Sequence, residues 1–141
     1  MQTPSHGRRP CANGSGAWWF RVTDGPSDDR DRRAVETIIG VALPRAWPRG
    51  AWPAGTRVRV VHDRAWHGPW LQEFSGTVSA MAAPVPIRNP RAEAGELEYW
   101  VEFDQPQRDA DGDGPYRKAL IWARYLVADE DRTRPRRLPT A

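Results

Sequence analysis

Residues 56–61 read Thr56-Arg-Val-Arg-Val-Val61, and this stretch decides the fold. Val58 and Val60 point one way and Arg57 and Arg59 the other, the period-two pattern of a strand with one buried face. The same alternation recurs downstream. Phe74, Gly76 and Val78 interleave with Glu73, Ser75, Thr77 and Ser79. Tyr99, Val101 and Phe103 interleave with Glu98, Trp100 and Glu102. Tyr116–Ile121 gives a fourth strand, with Ala119 and Ile121 taken as inward. Trp122-Ala-Arg-Tyr125 suits one tight helical turn, and Leu126-Val-Ala128 a last short strand.

Between these strands lie a loop at 62–72, a Pro/Ala segment at 80–97 and a turn-rich stretch at 104–115. The order predicts an all-β fold, a small five-stranded SH3-like barrel over residues 55–128. A unit of that size can just stabilise a core. Residues 1–54 read as a Pro/Gly-rich extension, disordered or weakly helical, with one short helix over 27–40. Ser27 caps that helix, Asp28, Asp29 and Asp31 favour its positive end, and Gly40 ends it. Residues 44–55 read as a linker in which Ala-Trp-Pro occurs twice, and 129–141 as a charged, disordered tail. Bacterial genes permit non-AUG starts, so a first residue at a valine such as Val41 would leave residues 1–40 outside the protein.

Composition narrows the function. The chain has 141 residues, of which 39% are hydrophobic, with 14 prolines and 12 glycines, so part of it is expected to stay outside any core. Cys11 is the single cysteine, which excludes an internal disulfide and a thiolate metal cage. No apolar run is long enough to span a bilayer, and the expectation is a cytoplasmic protein without membrane insertion. The net charge of +3 is unevenly spread. Residues 1–55 contribute +3, residues 56–127 contribute −1 and residues 128–141 contribute +1, so the predicted barrel is slightly acidic. A phosphate-binding barrel would normally show the reverse.

Gly55-Thr-Arg-Val-Arg-Val60, Tyr99-Trp-Val-Glu-Phe103 and Ile121-Trp-Ala-Arg-Tyr-Leu126 resemble the C-terminal SH3-like barrel of the nitrile hydratase β subunit. That barrel opens with Gly-x-Arg-Val-Arg-Val and closes with Leu-Trp-x-x-Tyr-Leu. The resemblance implies the fold over residues 55–128 and an accessory or subunit role. The family's metal belongs to a cysteine cluster on the other subunit, and nothing comparable occurs here. In scale and strand order alone the barrel is also similar to ferrous iron transport protein A.

Candidate sites follow from residue type and place. Trp66, Trp70, Trp100 and Tyr125 are predicted to line an aromatic groove for an extended, proline-rich protein segment, because flat rings bury much area at small entropic cost. Arg57 and Arg59, with stacked tryptophans and the tail arginines, are the candidates for an alternative role in RNA or single-stranded nucleic-acid binding. Asp109, Asp111 and Asp113 match the first half of a calcium loop, but its twelfth position is Leu120 rather than a bidentate Glu. The competing reading is a solvated hairpin turn. His62, Asp63 and His67 form a second candidate metal cluster. No nucleophile–base pair is visible and no cofactor is called for, so the expectation is a non-catalytic module with a protein partner, or at most the β-type subunit of a hydratase-like metalloenzyme.

Overall fold

The computed structural model describes residues 11–12, 18–21, 27–62 and 69–129. Among the described residues it is an all-β fold with one α-helix. The strands are β1 (Cys11–Ala12), β2 (Trp18–Arg21), β3 (Arg57–Val60), β4 (Phe74–Val78), β5 (Val85–Pro86), β6 (Leu97–Gln107), β7 (Tyr116–Trp122) and β8 (Leu126–Ala128). Helix α1 spans Asp28–Ile39, and a 3-10 turn, Ala123–Tyr125, joins β7 to β8. One antiparallel sheet runs β1-β2-β7-β6-β4-β3-β8, with β5 paired to β6. Its curled centre, β7-β6-β4-β3-β8, holds the five strands expected from the alternation.

Register puts the alternating residues into one core. Val58 lies opposite Gly76 and Val60 opposite Phe74, while Tyr99 faces Ile121 and Val101 faces Ala119. All are buried. Gly76 has to be glycine, since a Cβ there would come within 2.5 Å of the Glu102 carbonyl oxygen and 2.9 Å of Val101. At one end Trp70 meets Phe74, Phe103 and Tyr116 edge to face, with centroids 5.6, 5.1 and 5.9 Å away. At the other end the Ala-Trp-Pro segment closes the barrel. Trp47, Ala51 and Trp52 pack on the core, Trp47 Nε1 donates to the Trp52 carbonyl at 2.8 Å, and the Trp52 amide donates to Tyr99 Oη at 3.1 Å. Segment 44–55 is therefore a plug as well as a connection.

The outer face of β6 and β7 is covered too. Ser27 Oγ accepts the Arg30 amide at 3.3 Å to start α1, and Gly40, at φ 79°, ends it by donating to the Glu36 carbonyl. The helix lays Val35 against Phe20, Met81, Ala82 and Trp100. Beside this apolar contact sits a buried ionic cluster. Asp31, 2% exposed, accepts two bonds of 2.8 Å from Arg117 and one of 2.7 Å from Lys118 Nζ. Lys118 also reaches Asp28 at 3.1 Å and Glu102 at 3.3 Å, and the Arg117 guanidinium lies 5.0 Å from the Phe20 ring centroid. Burial by itself would raise the Asp31 carboxyl, but hydrogen bonds from Arg117 and Lys118, together with their charges, outweigh it and hold Asp31 below its usual range.

The part of the extension covering residues 28–39 is therefore docked rather than loose. A protein starting at Val41 would lack Asp31 and leave two buried cations on β7 without their shared counter-charge. The tail reading begins at Asp129, which is buried and accepts from Ser75 Oγ at 2.7 Å; residues 130–141 lie outside the described residues.

Asp31→Ala is expected to lower unfolding stability by roughly 3–5 kcal/mol, the cost of stripping one partner from a buried ion pair. Because the folded pKa of Asp31 is lowered, its contribution is intact above its ordinary value of 3.8 and is lost as pH falls through the folded value. Denaturant melts of wild type and variant should therefore converge in acid. Lys118→Arg should also destabilise, by about 1–3 kcal/mol, since a larger head group must enter a fully buried site.

Candidate functional site

The predicted aromatic groove is not an open surface. Trp70 and Tyr125 are buried in the main core and Trp100 in the outer cluster, while Trp66 lies outside the described residues. Trp100 does point away from the barrel interior, as its register requires, but α1 and residues 81–83 cover it. Its ring stands 5.9 Å from Phe20, edge to face. A contact between aromatic rings and a proline-containing segment is made within the chain: the Trp52 ring is 5.4 Å from Tyr99. Trp122 is half-buried and packs against the main core, with the Arg124 guanidinium 5.3 Å from its ring centroid.

The arginines of β3 are also engaged. Arg57 forks onto the Asp104 carboxylate and donates to Thr77 Oγ1 at 2.8 Å. Arg59 lies 3.8 Å from Glu73. Neither presents an uncompensated charge to a phosphate backbone. Asp109 is buried, and its Oδ1 accepts the amides of Asp111 at 3.0 Å and Asp113 at 2.9 Å. This is the bonding of a tight Asx turn, with Gly112 at φ 88°. Asp111 and Asp113 project into solvent. His62 Nε2 sits 3.2 Å from the Trp70 carbonyl, and Asp63 and His67 lie outside the described residues. No group of three His, Cys, Asp or Glu side chains among the described residues is placed to hold a metal.

What the structure does build is a cleft on the outer face, between α1 and the start of β6. Val35, Ile39, Leu43, Pro44, Val85 and Trp100 supply most of its wall, and its volume is about 90 Å³. The Ala83 amide donates to the Pro44 carbonyl at 2.9 Å, which ties the two wall segments together. Apolar surface continues outside the cleft. Ile38 is 51% exposed, Ile39 41% and Val41 62%. Glu98 borders this region. It is the cross-strand partner of both Val85 and Trp122, and directly opposed residues share a face. The Glu98 carboxyl has no hydrogen bond or ion pair among the described residues, and burial pushes it up to about 7.

Sequence alternation missed this cleft because its walls are brought together from α1, the outward faces of β6 and β7 and the segments at 43–44 and 82–85, which lie far apart in sequence. A signal was nonetheless present. In a chain with 28% charged residues, 37–44 (TIIGVALP) and 74–87 (FSGTVSAMAAPVPI) carry no charge at all. Among the described residues no helix is long and apolar enough to cross a membrane. No family model, no curated protein and no solved structure matches the chain.

The raised carboxyl of Glu98 has a definite sign. The folded state binds its proton more tightly than the unfolded state does, so stability falls as pH rises from about 4.5 towards 7. Glu98→Gln should therefore raise the melting temperature more at pH 8 than at pH 5. Equal gains at the two pH values would show that desolvation of the carboxylate is not the cause.

Proposed function

We propose that this chain is a non-catalytic SH3-like binding module, acting as an accessory or interaction subunit, and that its contact face is the cleft beside α1. The observation that carries the reading is the continuity of the uncharged cleft with exposed Ile38, Ile39 and Val41. Contiguous exposed apolar surface of this kind usually marks an interaction site. Size argues for a protein rather than a metabolite. Pockets for small ligands enclose roughly 300–1,000 Å³, and a cavity that holds benzene is about 150 Å³. A cleft of about 90 Å³ is on the scale of one aliphatic side chain. The accessory role implied by the resemblance, in a metalloprotein or an iron-transport system, would leave any metal on the partner. Nucleic-acid binding is disfavoured by the carboxylate partners of Arg57 and Arg59.

The test compares the wild-type chain with Ile39→Asp as baits in a native lysate, at moderate and high salt. A stoichiometric protein retained by the wild type at high salt should fall by about tenfold or more with the variant, a loss of at least ~1.4 kcal/mol. Equal capture by both baits rules out the cleft. Recovery of nucleic acid alone, lost at high salt, rules out the protein-binding reading.

A further inference from the structure

At the two ends of the β6–β7 hairpin the exposed charges without side-chain partners among the described residues differ in predominant sign. Near the cleft, residues 41–56 contain Arg45 and Arg49 and no acid, and residues 81–92 contain Arg88 and Arg91 and no acid. The side chains of these four arginines have no acidic partner among the described residues, and all four are exposed. The nearby acids are few. The Glu36 carboxylate is occupied by the Leu43 amide at 2.8 Å, the Glu96 carboxylate is held by Arg124 at 2.7 Å, Glu98 borders the cleft, and Glu93 is exposed on the turn before β6.

At the far end, residues 104–115 hold Asp104, Asp109, Asp111 and Asp113 against Arg108. Asp104 is paired to Arg57 and Asp109 is held by backbone amides, while Arg108 donates to the Gly112 carbonyl at 3.0 Å. Asp111 and Asp113 thus stand exposed, with no side-chain partner among the described residues. Beside them protrudes Leu71, 57% exposed. It is fixed against the acidic turn by its amide to the Arg108 carbonyl at 3.2 Å and by the Ala110 amide to the Pro69 carbonyl at 2.7 Å. From Trp100 to Gln107 the strand runs about 23 Å, so the two ends cannot meet within one molecule.

We propose that a second copy of this chain docks head to tail on the cleft, with Leu71 as the inserted side chain and Asp111 and Asp113 facing the arginines beside it. The proposal rests on the reading of the cleft as a protein-docking face. The complementarity is threefold: an aliphatic side chain for a cleft of that scale, carboxylates for unpaired guanidinium groups, and two surfaces on opposite ends. Two different surfaces meeting make a heterologous contact, which propagates into chains or rings rather than stopping at a pair. One side chain and one turn bury far less than the 1,200–2,000 Å² or so of a stable complex. The association is therefore weak, reversible and screened by salt.

Sedimentation velocity of the full chain over a micromolar-to-millimolar series tests this directly. The average mass of the wild type should climb above 16.0 kDa with concentration, and the climb should shrink at high salt. Leu71→Asp and Ile39→Asp should each remain monomeric alone. An equimolar mixture should form a dimer and go no further, because each variant keeps one intact end. Val41→Asp replaces Ile39→Asp if the latter lowers the melting temperature. A wild type that stays monomeric throughout overturns the proposal, as does a dimer that neither substitution affects or a mixture that fails to pair. A monomeric wild type whose cleft still captures a different protein overturns self-docking while leaving the binding function standing.

Discussion

The structure depends on neutralising two cations in the middle of β7. Arg117 and Lys118 are buried side by side on a strand that pairs on both edges. Without a counter-charge they would cost several kcal/mol each. Asp31 supplies it from α1, and the position of the helix follows from that requirement. Once α1 is held there, Val35 covers Trp100, Ser79 Oγ reaches Asp28 at 2.9 Å, and the cleft acquires its second wall. The buried charges set where the helix lies, and the apolar contacts fill in around them.

The same cluster gives a physical reason for the chain's one lysine among twenty arginines. Elsewhere arginine serves as a planar fork, as in Arg117 on Asp31, Arg57 on Asp104 and Arg124 on Glu96. At position 118 three carboxylates surround one point, and a compact ammonium with three donors fits that geometry where a planar guanidinium does not. The exception to arginine therefore follows from the site.

Local patterns announced much of this fold. Alternation over 57–60, 74–78 and 99–103 located three strands, the Asp/Gly stretch marked the β6–β7 turn, and Ser27 and Gly40 bracketed α1 within a residue. The errors share one cause. Trp100 looked like a surface aromatic because its neighbours Glu98 and Glu102 are charged, yet its cover comes from residues distant in sequence. Nothing local marks Lys118 as buried, because its main counter-ion, Asp31, lies 87 positions earlier. Trp47 and Trp52 looked like linker residues because proline removes periodicity, although their rings pack on the barrel. A pattern within one strand cannot report what another part of the chain lays over it.

The proline-punctuated segment between α1 and β3 has a further consequence. A helix that docks through one ionic cluster and one small apolar contact is an obvious element for domain exchange, in which each molecule lends its helix to the next. Exchange needs a hinge that can straighten. Here the connection is pinned by the bond between Ala83 and Pro44, by Trp47 against the Trp52 carbonyl and by Trp52 against Tyr99. Opening it would unseat two indoles from the end of the barrel. The helix is thereby committed to its own barrel, and its outer surface stays available for contacts that leave each fold intact.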